Sequence, residues 1–218
     1  MRKHKYHKIN DLFKQFNEKK DAIHKQLSEF DELSQESDER IFTELCFCIL
    51  TSQSKARVCD KALERLKMDG VLLEGTPDEI STHLKGVRFH NNKAEWIVAA
   101  RKMFHQNGNW FIKKCLSNFK DTFKAREWLV KNVLGLGYKE ASHFLRNIGV
   151  GRNLAILDRH ILKNMQAYGI IKKIPKSLTR KEYLQIENLL KEFSNNIGIT
   201  VEELDLLFWS RETGEIFK

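Results

Sequence analysis

The chain has 218 residues, 41% of them hydrophobic, and its 38 Lys+Arg outnumber its 29 Asp+Glu, giving a formal net charge of +9. This length suits one large or two small domains, and no apolar stretch approaches the roughly 20 residues of a membrane helix. The basic N-terminal segment MRKHKYHKIN lacks the apolar core and cleavage site of a secretory signal. We therefore expect neither a membrane protein nor a secreted precursor. The positive charge fits a solvated surface or a phosphate-binding face equally well.

Helical patterning extends over nearly the whole chain. Apolar residues from Ile9 to Phe30 recur at steps of three and four, and the run 39–50 (ERIFTELCFCIL) is apolar on almost every face, which favours a buried central helix capped by Asp38. Helix starts are indicated by capping boxes, at Thr76, Thr179 and Thr200. Helix ends are indicated by glycines, at Gly70, Gly86, Gly108, Gly169 and Gly198. These signals predict an all-α fold of ten or eleven helices.

The domain organisation is predicted to be a single helical unit over residues 1–218. No linker, low-complexity segment or repeat divides the chain. We expect two lobes, with the first and last helices in the same lobe and the binding site in the cleft between lobes.

The four cysteines predict no metal centre. Cys46 and Cys48 lie in an apolar run that suits buried thiols, and Cys59 and Cys115 stand alone. There is no CxxC pair and no Cys/His cluster with zinc-ligand spacing. A reducing cytoplasm, no metal and no cofactor are expected.

The most informative stretch is residues 126–163, REWLVKNVLGLGYKEASHFLRNIGVGRNLAILDRHILK. Two amphipathic segments flank Leu134-Gly135-Leu136-Gly137, which predicts a helix, a tight hairpin and a second helix. The two glycines would allow positive φ and close backbone approach, while Leu134 and Leu136 would anchor the turn in the core. Backbone N–H groups at the start of the second helix would then hold a phosphate of a nucleic acid. A lone GxG is also common as a plain helix connection.

Two ionisable residues follow the hairpin at a fixed spacing. Lys139 would lie in the first turn of the second helix, where the helix dipole disfavours a cation. Asp158 follows three apolar residues and precedes a helix, so by itself it is expected to cap that helix through the Ile161 N–H. Taken alone, Lys139 is interpreted as a surface lysine or a phosphate contact.

Together, LGLGYKEA and LDRHIL closely resemble the signature of the helix-hairpin-helix DNA glycosylases. In that superfamily the hairpin is followed by a catalytic Lys in the bifunctional members and then by a catalytic Asp. Lys139 and Asp158 match these two positions. The resemblance implies a glycosylase fold with two helical lobes around a DNA-binding cleft.

Three features narrow the resemblance to one family. There is no cysteine beyond Cys115, where iron–sulfur members carry four, and the chain is too short for the extra β-domain of eukaryotic-type enzymes. The segment LDLLFWSRETGEIFK, ending at Lys218, resembles type 2 8-oxoguanine DNA glycosylases of archaea and thermophilic bacteria. In that family the C-terminal lysine helps to distinguish the oxidised base from guanine.

The resemblance also implies a base pocket. Trp209 would stack on the flipped base, Asp205 would be a polar pocket residue, Lys218 would reach the base edge, and Phe89 would form the opposite wall. Gln53 matches the position where relatives insert polar groups into the duplex gap. Without the resemblance, Trp209 and Phe89 would be assigned to the core and Lys218 to a frayed tail.

The activity implied is excision of 8-oxoguanine from double-stranded DNA. Lys139 would attack C1′ and form a Schiff base, and β-elimination would then cut the strand, with Asp158 stabilising charge on the sugar. A pyrimidine-directed, endonuclease-three-like enzyme without the cluster, or a non-catalytic helix-hairpin-helix DNA-binding protein, would share these features. We expect a monomer in a prokaryotic cytoplasm, associated with the nucleoid.

Overall fold

The computed structural model describes residues 2–217, with the side chains of residues 9–217. Twelve helices occupy this part of the chain, one or two more than predicted, because two short ones escape sequence patterning. The elements in chain order are α1 (Arg2–Leu33), α2 (Asp38–Thr51), α3 (Ala56–Met68), α4 (Val71–Glu74), α5 (Pro77–His83), α6 (His90–Phe104), β1 (His105–Gln106), β2 (Asn109–Trp110), α7 (Ile112–Ser117), α8 (Thr122–Asn132), α9 (Tyr138–Asn147), α10 (Arg159–Ala167), α11 (Arg180–Ile197) and α12 (Val201–Thr213).

Two hydrophobic clusters fill the described part of the chain. The α2 cluster contains buried side chains between Leu33 and Leu154, and helix α2 itself is buried from Ile41 to Thr51, as its apolar pattern predicts. The α12 cluster joins buried residues of α1 to those of 155–208. Helix α1 thus packs against α12 although the two are at opposite ends of the sequence.

The predicted helix starts are largely confirmed. Thr76, Thr179 and Thr200 each cap a helix through a complete capping box. Helix α2, however, is capped by Ser37, whose side chain accepts the Arg40 N–H, so the prediction of Asp38 was wrong. The Asp38 carboxylate instead accepts the Lys113 N–H at 2.7 Å, because it reaches the start of α7.

The only strands among residues 2–217 are β1 and β2, a two-residue antiparallel pair. Gly108 was predicted to end a helix, but it lies with Asn107 in the turn between these strands, and both residues have positive φ. Helix α6 has already ended at Phe104, since the chain reverses immediately after it. Within residues 2–217, no helix is long and apolar enough to cross a membrane.

The predicted helix-hairpin-helix is formed by α8, residues 133–137 and α9. Gly135 has φ +84°, and a Cβ atom there would lie 2.4 Å from the Trp96 ring, so both its conformation and its contact require glycine. Gly137 has φ −89° and ψ −174°, an extended conformation that does not need positive φ. Leu136 is buried, but Leu134 is 58% exposed, so the prediction that Leu134 anchors the turn was wrong. The hairpin places Leu134 on its outer side.

Candidate active site

Lys139 lies in the first turn of α9, directly after the hairpin. Its side chain is 23% exposed, and Nζ lies 3.6 Å from Glu140 Oε1. The other carboxylate oxygen of Glu140 accepts the Gly137 N–H at 3.3 Å. Glu140 therefore links the amine to the hairpin backbone, next to a helix N-terminus.

Asp158 is the N-cap of α10, as expected from its position. Its Oδ1 accepts the Ile161 N–H at 2.8 Å, and the residue is only partly buried. A cap uses one carboxylate oxygen, so this contact is compatible with a second role for the other oxygen.

A buried polar network holds the segment that leads to Asp158. Glu187 of α11 binds the Arg126 guanidinium of α8 at 2.7 and 2.9 Å and accepts the Ala155 N–H at 2.8 Å. Tyr183 donates to the Ala155 carbonyl at 2.6 Å and accepts the Leu157 N–H at 3.3 Å. Helix α11 thus fixes the backbone of residues 155–157, which immediately precede Asp158.

The same network reaches the helix that carries Lys139. Arg126 also donates to Ser142 Oγ at 3.0 Å, which ties α8 to α9. The elements bearing Lys139 and Asp158 are therefore connected through one buried ion pair, with both side chains about 1% exposed.

Asp205 is a buried carboxyl group on α12 that feels the charges of both Lys139 and Asp158. Burial raises the pKa of Asp205 to about 7, while the charges of Arg146 and Lys139 act to lower it and that of Asp158 acts to raise it. Arg146 Nη1 lies 3.4 Å from Asp205 Oδ2, and both side chains are almost completely buried. The charges of two predicted site residues, Lys139 and Asp158, thus act on a third, Asp205.

Trp209 lies one turn after Asp205 on α12 and is only partly buried. Its ring centroid is 6.0 Å from that of Phe217 and 6.4 Å from that of His160, the latter nearly perpendicular. Part of the indole remains exposed beside these contacts, so Trp209 is not a fully buried core residue.

Two residues after α12, Ile216 and Phe217, are docked against the rest of the protein. Ile216 packs against the α12 cluster and Phe217 against the α2 cluster. The Arg57 guanidinium lies 3.8 Å from the Phe217 ring centroid and pairs with the Glu215 carboxylate. Lys218 itself lies outside the described residues.

Phe89 and Gln53 lie at the tips of two loops. Phe89 is 53% exposed with φ 56°, so assignment to the core is wrong. Gln53 is exposed, with φ 53°. Left-handed conformations are uncommon for residues other than glycine and are maintained by the surrounding structure.

Sequence reasoning missed several residues of this region. Glu140 was detectable, because it follows Gly137 at the spacing of a capping box. Arg146 and Glu187 gave no local signal, because their partners lie 59 and 61 positions away. Among residues 2–217, no group of three or more His, Cys, Asp or Glu side chains is arranged to hold a metal ion.

A protein-family model described as 8-oxoguanine DNA glycosylase matches residues 23–199. The chain belongs to the 8-oxoguanine DNA glycosylase family. Relatives named 8-oxoguanine DNA glycosylase/AP lyase include a protein of Fusobacterium nucleatum, 40% identical over the full length of both chains, and one of Korarchaeum cryptofilum, 44% identical over 91% of each. The resemblance read from the hairpin, Lys139 and Asp158 is thereby confirmed.

Solved structures of this family have the same fold. The Methanocaldococcus jannaschii 8-oxoguanine glycosylase/lyase, in complex with a 15mer DNA containing 8-oxoguanine, is 40% identical, with a TM-score of 0.87 over 96% of this chain and 99% of that one. The Thermotoga maritima 8-oxoguanine DNA glycosylase is 34% identical, with a TM-score of 0.86 over 99% of this chain and 100% of that one. The all-α helix-hairpin-helix glycosylase fold is therefore confirmed.

Proposed function

We propose that this protein excises 8-oxoguanine from double-stranded DNA and then cleaves the strand as an AP lyase. The observation that carries the proposal is that a member of the 8-oxoguanine DNA glycosylase family has Lys139 in the first turn after its hairpin and Asp158 at the N-cap of α10. The damaged base must leave the helix stack to reach these groups, at a cost of a few kcal/mol. Contacts of the hairpin at Gly135 and Gly137 with a phosphate would offset part of that cost.

The chemistry assigned to the site is nucleophilic. Lys139 Nζ, as a neutral amine, attacks C1′ of the damaged nucleotide, and the electrons of the glycosidic bond leave with the base, which takes up a proton. Asp158 stabilises the positive charge that develops on the sugar. The C1′–O4′ bond then breaks, O4′ takes up a proton as the sugar ring opens, and a Schiff base forms between Nζ and C1′. Removal of a C2′ proton then expels the 3′ phosphate, and hydrolysis releases the enzyme.

Recognition of the base is assigned to one end of the site. Trp209 stacks on the flipped base, the Asp205 carboxyl contacts its edge, and Lys218, carried by the docked segment 214–217, reaches the same edge. Phe89 lies on the opposite side, and Gln53 enters the space that the base vacates. The proposed cleft lies between the α2 and α12 clusters, which we identify with the two predicted lobes.

Borohydride trapping tests the proposal. A duplex with one 8-oxoguanine opposite cytosine is incubated with wild type, Lys139→Gln or Lys67→Gln, a control that removes an exposed lysine paired with Glu64. We expect a covalent adduct with wild type and Lys67→Gln only, and none on undamaged duplex. Trapping on oxidised pyrimidines instead would mean that the substrate is an oxidised pyrimidine rather than 8-oxoguanine. Binding without any adduct on any lesion would favour a non-catalytic DNA-binding protein.

We further propose that the enzyme acts as a monomer on chromosomal DNA in a prokaryotic cytoplasm. A single chain has, within residues 2–217, the helix-hairpin-helix and the candidate site that binding one lesion requires. Light scattering of the protein with and without a lesion duplex tests this: a 1:1 complex is expected, and a 2:1 complex would contradict it.

A further inference from the structure

Lys93 is a lysine buried inside the protein, in the first turn of α6, and only 1% of it is exposed. Its Nζ donates to the carbonyl oxygens of Leu50 and Ser52, at 2.7 and 2.6 Å, and to Ser54 Oγ at 3.0 Å. Three acceptors match the three donors of an ammonium group, whereas a neutral amine has only two. The contacts therefore describe a charged lysine held by the protein interior.

These acceptors belong to the end of α2 and the loop after it. The last carbonyls of a helix have no partner within the helix and carry the negative end of its dipole. Lys93 supplies that partner from another helix. It therefore holds the backbone before Gln53 and the Ser54 side chain after it, and the φ of 53° at Gln53 needs such support from its surroundings.

The Ser54 hydroxyl, which Lys93 binds, also holds the loop that contains Phe89. Ser54 Oγ accepts the Arg88 N–H at 3.0 Å, next to Phe89, and Phe89 is the N-cap of the helix that carries Lys93. Gln53 and Phe89 are thus two exposed, left-handed loop tips tied to one buried ammonium group. Burial lowers the pKa of Lys93 to about 8, and the three hydrogen bonds to its ammonium group act against this desolvation.

We propose that Lys93 is a positioning residue for the opened duplex: it holds Gln53, which enters the space that the base vacates, and Phe89, which faces the flipped base. It touches neither base nor sugar and acts through the two tips. The inference rests on the proposed function and adds to it Lys93, a residue that the family resemblance does not identify. It follows that removing the ammonium group should impair steps that require duplex opening and spare steps that do not.

The test compares Lys93→Met and Ser54→Ala with wild type and with Lys102→Met, a change of an exposed lysine on the same helix. Three quantities are measured under single-turnover conditions: excision of 8-oxoguanine from duplex, binding of undamaged duplex, and borohydride trapping on a single-stranded abasic oligonucleotide. For Lys93→Met we expect duplex excision to fall about tenfold or more. Trapping on the single strand and binding of undamaged duplex should stay within about twofold, because Lys139 and the hairpin are untouched.

A double-mutant cycle with Gln53→Ala adds a readout that general destabilisation would not move. If Lys93 acts through the tip, the double variant is no worse than the poorer single variant. Equal loss on duplex and single strand in a folded Lys93→Met, or full duplex excision, overturns the inference. If Lys93→Met does not fold, Ser54→Ala decides by the same pattern. Failure of the proposed function would appear differently, as absence of excision by wild type itself.

Discussion

The Glu187 carboxylate binds the Arg126 guanidinium at 2.7 and 2.9 Å inside the protein, where water does not compete. Removing one partner of a buried pair leaves the other charge without compensation. We expect Arg126→Met to lower the free energy of unfolding by roughly 3–5 kcal/mol, measured by denaturant titration. Arg126→Met/Glu187→Met should be less destabilised than the two single changes added together. A single change that costs less than about 1 kcal/mol would contradict a buried pair.

A substitution at Asp158 can separate its proposed role in catalysis from its role as the N-cap of α10. Asparagine caps a helix about as well as aspartate, so Asp158→Asn should keep the cap on Ile161. Because it removes the negative charge, we expect excision to slow roughly 100-fold or more. The matched control is Asp121→Asn, at the N-cap of α8, which accepts the Phe123 N–H. Both variants should unfold at nearly the wild-type temperature, and full activity of Asp158→Asn would refute its assigned role.

Asp205 predicts a pH dependence of stability. Its pKa is about 7 in the folded protein and near 3.8 in the unfolded chain. Between these pH values the folded state binds a proton that the unfolded state has lost, so the carboxyl group makes the protein less stable as the pH rises from about 4 to 7. Asn has no such proton. The difference in free energy of unfolding, Asp205→Asn minus wild type, should increase by about 2 kcal/mol from pH 5 to pH 8.

Denaturant titration at several pH values checks this prediction. The same substitution at the exposed Asp21 is the control and should give a nearly constant difference. A difference for Asp205→Asn that falls with rising pH would mean that Arg146, rather than burial, dominates the carboxyl group.

Gly135 and Gly169 provide a matched pair for the hairpin. Both have positive φ, but a Cβ atom at Gly169 meets no atom within 4 Å, whereas one at Gly135 overlaps the Trp96 ring. We expect Gly169→Ala to cost about 1–2 kcal/mol and Gly135→Ala to cost a further 1–3 kcal/mol, roughly, from the overlap. Only Gly135→Ala should weaken binding of undamaged duplex. Equal losses of stability at the two positions would show that the Trp96 ring can move aside without an energetic cost.

What the sequence predicts well is local. The capping boxes, the buried α2 and the hairpin with Lys139 and Asp158 depend on residues a few positions apart, so their spacing is visible in the chain. The pairing of Arg146 with Asp205 and of Arg126 with Glu187 depends on how distant helices pack. Leu134 was mispredicted because an apolar residue in a turn carries no record of which way the turn faces. The loop at Gln53, with its left-handed φ, is likewise bound by Lys93, 40 positions away.

The four cysteines differ in burial, so chemical modification of their thiols can report on unfolding of the protein. Cys46, Cys48 and Cys59 are completely buried, and Cys115 is only partly so. Burial raises the pKa of Cys59 to about 11 and that of Cys46 well above its usual value, so few reactive thiolates exist in the folded state. An alkylating reagent should therefore modify Cys115 first and the other three only in molecules that have opened. Counting modified thiols by mass then measures the stabilisation conferred by a bound duplex, where the ultraviolet absorbance of the DNA obscures the tryptophans.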